Sequence, residues 1–164
     1  MNNNIDWLFF VLYLFVYLIQ SFMEELICRG YLLHRLKEKI PVVLAITISV
    51  LFFSAGHFDK MFVDGTLIGI IGIINLLLIG LIFVVITLKN KNIYGAIGFH
   101  FIWNFALFSI IGLNLSGLET TNSIFQMEVV NKFLTGYSYG IESSFITTII
   151  LIIILLLTER NVKI

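Results

Sequence analysis

Long apolar runs alternate with short polar breaks along the 164-residue chain. The first, "IDWLFFVLYLFVYLIQ", covers about Ile5 to Ile19 and predicts a helix that continues through "SFMEELICRGYLLHRL". The second, about Val42 to His57, follows Pro41, the only proline, a residue suited to a helix start. The third, about Thr66 to Leu88, is dotted with glycine ("GTLIGIIGIINLLLIG"), and small residues let helices pack closely in lipid. A fourth covers about Ile93 to Leu113. The last, "FITTIILIIILLL" at about Phe145 to Leu157, has no polar group beyond two threonines and reads as an anchor or packing helix. A spanning helix needs about 20 mainly apolar residues, so the pattern predicts an all-α fold, a polytopic membrane bundle of about five transmembrane helices. There is no internal repeat and no separate soluble region, which makes 1–164 a single membrane-embedded domain. Only 114–144 is a long polar stretch, and "IFQMEVVNKFL" within it suits an interfacial helix.

Composition agrees with a bilayer as solvent. Hydrophobic residues make up 59% and charged residues 12%, against about 45–50% and about 25% in soluble domains. Net charge is zero, which argues against nucleic acid as a partner, since binding its backbone needs a clustered positive surface. The single cysteine, Cys28, excludes an intramolecular disulfide and zinc-finger spacing. "MNNNID" carries no Lys or Arg, so the first run lacks a signal peptide's basic region and reads as a retained span. Five spans place Arg35, Lys37, Lys39, Lys89, Lys91, Arg160 and Lys163 on one side, and only Lys60 and Lys132 on the other. That bias predicts the N-terminus outside and the C-terminus in the cytoplasm.

Drawing the spans leaves a short set of polar residues where lipid should exclude them: Glu24, Glu25, Arg29, His57, His100 and Asn104. A central charge costs about 2.5–3.5 kcal/mol on the insertion scale, so each needs compensation. Glu25 and Arg29 are four apart on one helical face, in the favourable order. Glu24 lies about 100° further round and is left to face something else, histidine being the best candidate. His57 stands four residues after Phe53, and Asn104 four after His100, each pair on one face. A carboxylate and two imidazoles converging in a cavity have the parts for hydrolysis: the carboxylate takes a proton from water, and an imidazole orients the water or carries the proton onward. An amide or neutral imidazole can donate to the oxyanion of a tetrahedral intermediate.

Plainer readings exist for each residue alone. A Glu–Arg pair can be a structural brace, an intramembrane histidine can bond a neighbouring helix, one at a helix end can sit at the headgroups, and Asn104 can be interhelical glue. His34, with Arg35, Lys37, Glu38 and Lys39, reads as a solvated face; Cys28 reads as apolar filler, and Trp7 and Trp103 as interfacial or packing residues. Depth is a further condition. Counted from one membrane face at 1.5 Å per residue, straight helices set His57 about 24 Å up and His100 only about 10 Å. Assembly therefore requires tilt, a break at "SAG", or a partly embedded start to the fourth helix.

Taken together, "EELICR" has the form E-E-x-x-x-R, "FSAGH" the form F-x-x-x-H and "HFIWN" the form H-x-x-x-N, in that order on successive apolar segments. This resembles the CAAX-protease and bacteriocin-processing (Abi, CPBP) family of intramembrane endopeptidases, over about Ser21 to Phe105. The resemblance implies that Glu24 is the general base activating water and that His57 helps hold it. It implies that His100 and Asn104 orient substrate and stabilise the oxyanion, that Glu25 and Arg29 form a supporting pair, and that Phe53 shapes the wall of the substrate-binding cavity. The family has been described both as metalloproteases and as metal-independent glutamate proteases. If zinc takes part, Glu24, His57 and His100 are the ligands that the resemblance implies; the chain has no H-E-x-x-H.

Eukaryotic members trim prenylated C-termini, and bacterial relatives are linked to bacteriocin maturation, self-immunity and peptide signalling. The Ile-, Asn- and Lys-rich composition points to an AT-rich bacterial genome, hence a bacterial cell membrane and a peptide or protein substrate. Two rivals keep the same residues. One is a non-catalytic immunity or regulatory protein that binds a peptide or partner. The other is a small ion or proton carrier using the buried carboxylate as a relay, for which five spans without an inverted repeat make a poor pattern.

Overall fold

The computed structural model describes residues 2, 4–58, 61–127 and 131–159. Lys60, Arg160 and Lys163, three of the charges counted for orientation, lie outside the described residues, as does the side chain of Lys132.

The chain is an all-α membrane bundle. Helix α1 (Trp7–Glu25) starts where the Asp6 carboxylate accepts the amides of Leu8 at 3.0 Å and Phe9 at 3.2 Å, satisfying two of the donors a helix start leaves open. It runs without a break through a π-helical segment (Leu26–Leu33) into α2 (His34–Lys37), a continuous 31-residue rod. π turns loosen the regular backbone ladder. Here the Cys28 carbonyl accepts the Ser49 hydroxyl of the next helix at 2.8 Å. α1 is apolar all round, and Phe9, Phe15, Ile19 and Phe22 are exposed, as suits a lipid-facing helix. Helix α3 (Val42–Ala55) follows Pro41, and α4 (Thr66–Asn90) is the central rod, packed against α3, α5 and α7. Helix α5 (Tyr94–Phe105) continues as a π-helical segment (Ala106–Ile111), α6 (Lys132–Thr135) is one turn, and α7 (Phe145–Glu159) closes the bundle.

Among the described residues three helices are long and apolar enough to cross a membrane: Trp7–Lys37, Thr66–Asn90 and Tyr94–Ile111. The expected five therefore resolve into three full-length spans and two shorter apolar helices, α3 and α7, of 14 and 15 residues. At 1.5 Å per residue α3 reaches only about 21 Å, well short of a hydrocarbon core of about 30 Å. His57 thus lies in the turn that ends a short helix, inside the bundle.

The stretch 114–144 is mostly irregular, and among its described residues "IFQMEVVNKFL" is helical only at Lys132–Thr135. The end of the preceding π-helical segment leaves carbonyls without intrahelical partners. The amides of Ile124 and Phe125 donate to the carbonyls of Ser109 and Ile110 at 3.0 and 2.9 Å, so this part of the stretch closes a helix end. Asn122 ties it to the start of α1 by accepting the Asp6 amide at 2.9 Å and donating to the Asp6 carbonyl at 2.8 Å. Gly140 (φ 103) lets the chain pass against Asn114, where a Cβ would collide with backbone. Beyond it, Asn75 of α4 donates to the carbonyls of Glu142 and Ser144 at 2.7 and 2.9 Å and accepts the Thr148 hydroxyl, docking the start of α7.

Candidate active site

Glu25 and Arg29 sit one turn apart, as the spacing predicts, with Arg29 Nη1 2.9 Å from Glu25 Oε1 and both side chains fully buried. The other arm of the guanidinium, Nη2, donates to the Gly80 carbonyl at 2.9 Å, where a residue without a Cβ allows close approach. Phe53 and Phe83 cover the cation with ring centroids 4.5 and 5.2 Å from its central carbon. Such contacts stabilise a desolvated cation by about 2 kcal/mol.

His100 joins the same carboxylate: its Nδ1 is 3.1 Å from Glu25 Oε1, and its ring stacks on Phe83 with centroids 4.7 Å apart. A salt-bridged carboxylate only accepts, so Nδ1 is the donor there, and the other ring nitrogen is turned toward Glu24. That Nε2 is 3.8 Å from Glu24 Oε2. His57 is set the same way from the other side. Its Nδ1 is 3.0 Å from the Phe53 carbonyl, also an acceptor, and its Nε2 is 3.9 Å from Glu24 Oε2. Two imidazole Nε2 atoms thus flank one carboxylate oxygen. Gln20, one turn earlier on α1, donates to the other oxygen, Oε1, at 3.0 Å. Oε2 is buried with no hydrogen-bond partner among the described residues.

Glu24 and His57 line a cavity of about 390 Å³ with Gln20, Cys28, Phe53, Ser116 and Tyr139. Ile27 and Phe52, both exposed, form its lip, so it opens through the apolar belt of the bundle. Ser116 and Tyr139 come from the polar stretch and form the far wall. The Tyr139 hydroxyl donates to the His57 carbonyl at 3.2 Å, and Ser116 donates to Glu142 at 2.6 Å. Burial, then the neighbouring Glu142, pushes the Tyr139 phenol well above its ordinary pKa, so it stays a neutral donor.

The condition of depth is met by an embedded start to α5. Ile93 packs over Gly30, its Cδ1 3.5 Å from where a Cβ would stand, about 10 Å inside the Lys37 end of the rod. The seven residues from Ile93 to His100 then climb about as far as the six from Gly30 up to Glu24. Glu24, Glu25, Arg29, Phe53, His57 and His100 are all brought together. Asn104 is buried one turn beyond His100 but is not part of the cavity lining.

Several neighbours escaped sequence reasoning. Gln20 had a signal, the four-residue spacing to Glu24. Gly80, Phe83, Ser116 and Tyr139 had none, because a glycine and a phenylalanine in an apolar run, or a serine and a tyrosine in a loop, look like their many counterparts. The bland expectations also hold in places. His34 is exposed with Glu38 at 3.7 Å, and Cys28 is a buried free thiol. Glu24, His57 and His100, the ligands expected if zinc takes part, converge with both Nε2 atoms 3.9 and 3.8 Å from Glu24 Oε2, although among the described residues no three His, Cys, Asp or Glu side chains form a preformed metal site.

The family model for the type II CAAX prenyl endopeptidase, Rce1-like, matches residues 6–106, which contain all six motif residues and Phe53. No curated protein and no solved structure matched the chain.

Proposed function

The chain belongs to the Rce1-like type II CAAX prenyl endopeptidase family, and on that ground and the setting of Glu24 we propose that it is an intramembrane endopeptidase. It hydrolyses a peptide bond in a membrane-associated peptide or protein tail. The observation that carries this reading is Glu24 Oε2, buried without a hydrogen-bond partner among the described residues and with an imidazole Nε2 on either side at 3.9 and 3.8 Å, in a residue that lines an open cavity. Gaps of that length suit one water bonded to the carboxylate and to an imidazole.

Glu24 takes a proton from that water as its oxygen attacks the scissile carbonyl carbon, then returns the proton to the leaving amine. His57, fixed by the Phe53 carbonyl, holds the water. His100, held at Nδ1 by Glu25, does so from the other side, and Asn104, buried one turn beyond it and off the cavity lining, reaches an oxyanion only if the substrate extends past His100. The substrate arrives from the bilayer over Ile27 and Phe52. In a bacterial membrane it is a peptide of bacteriocin maturation, self-immunity or signalling, and not a prenylated tail.

Cleavage of a quenched-fluorescent peptide library by the purified protein in lipid tests this, with wild type and Glu24→Gln compared with and without chelator. Turnover that survives chelation and vanishes in Glu24→Gln is the expected result. Turnover retained by Glu24→Gln contradicts the reading, and loss under chelation restored by zinc replaces the water-activation step with a metal-dependent one.

A further inference from the structure

A second cavity, of about 320 Å³ and sharing no lining residue with the first, lies between Leu26–Leu33, α2, the end of α4 and the start of α5. Its polar lining is Arg29, His34, Lys37, Thr87, Lys91 and Asn92, without a carboxylate. Glu38, the nearest acid in sequence, is engaged by Arg35 at 3.3 Å and by His34 at 3.7 Å. Lys37 and Lys91, both exposed, place two positive charges at the rim of this hollow. Two groups of the lining residues are also left over: Arg29 Nε and Thr87 Oγ1 are buried with no partner among the described residues, in residues that are 2% and 9% exposed. Buried donors without acceptors are costly, and a ligand with several acceptor oxygens relieves that cost.

Position narrows the chemistry. Lys37 ends the 31-residue rod and Lys91 follows the 25-residue α4, so the hollow opens where two full-length spans reach the membrane surface. The embedded start of α5 deepens it, because the turn at Lys91 and Asn92 is drawn in toward Gly30. Basic pockets between spans at this level suit lipid headgroups. We propose that this cavity binds a phosphate-bearing anion, supplied by an anionic lipid headgroup or by free phosphate. It is independent of the peptidase reading, since Glu24, His57 and His100 take no part in it.

The test is thermal unfolding of the full chain in neutral detergent, with added phosphatidylglycerol, phosphatidylcholine, or inorganic phosphate at matched ionic strength. Phosphatidylglycerol is expected to raise the wild-type midpoint by about 3 °C or more while phosphatidylcholine does not. Lys37→Gln with Lys91→Asn removes that shift; asparagine tolerates the left-handed backbone at Lys91 (φ 56). Lys89→Gln, exposed and off the lining, keeps it. A phosphate response lost in the same double variant assigns the site to free phosphate, and a lipid-only response assigns it to headgroups. If the double variant does not fold, Lys91→Asn alone must lower the shift. Absence of any anion response in wild type, or a full response in these variants, overturns the proposal.

Discussion

Glu25 is sealed, with Oε1 shared between Arg29 at 2.9 Å and His100 at 3.1 Å and no side-chain exposure. Glu24, the preceding residue, keeps 28% of its side chain exposed and faces two imidazoles across gaps of 3.8 and 3.9 Å. One step along a helix turns the side chain by about 100°, and that rotation separates a carboxylate packed against α4 and α5 from one that lines a cavity. Oε2 of each is buried without a partner among the described residues, so what separates the two is the charge pairing of Glu25 with Arg29, which Glu24 lacks. The paired neighbour anchors both the helix and one of the histidines, so the reactive carboxylate need not pair to stay folded.

The contrast makes unequal demands on stability and on turnover. Arg29→Ala is the largest perturbation, because it strands the Glu25 carboxylate in the interior; the expected loss is about 3–5 kcal/mol, read from unfolding in detergent. Replacing the pair together, Glu25→Gln with Arg29→Met, should recover part of that loss, whereas an equally unstable double variant would mean that packing around the guanidinium, not charge, holds this region. Next comes His57→Ala, which touches only the open side. Turnover should fall by about 100-fold, with the unfolding midpoint close to wild type. A large drop in midpoint would erase the division between the two regions. Smallest is Tyr139→Phe, which removes one hydrogen bond to the His57 carbonyl, worth about 1 kcal/mol, and should lower turnover several-fold. Because burial holds that phenol protonated, the ratio of wild type to Tyr139→Phe should stay flat as pH rises through the alkaline range. A ratio that collapses there would show the phenol ionising.

Much of the sealed region was legible in the sequence, and for a local reason. The four-residue spacing of Glu25 and Arg29 on one helix face dictates their pairing whatever the helix packs against. The expectation that the first helix runs on past Glu24 follows from continuous apolar periodicity, and the structure agrees through Lys37. The open region was legible only as a set of residues. Their meeting depends on α3 stopping short and on α5 starting inside the bundle, where Ile93 packs over Gly30, and spacing encodes neither. The same holds for Phe83, which stacks on His100 yet sits in an unmarked apolar run. The polar stretch was read as an interfacial helix from its local pattern. Open carbonyls at the end of Ala106–Ile111 take the amides of Ile124 and Phe125, a partnership between residues about 15 apart that no periodicity announces.

The most direct test is to measure turnover and unfolding side by side for Glu24→Gln and Glu25→Gln, in lipid, at equal folded concentration. The division of labour predicts that Glu24→Gln unfolds like wild type and does not cleave, while Glu25→Gln loses stability. A folded Glu24→Gln protein that cleaves at the wild-type rate would contradict it.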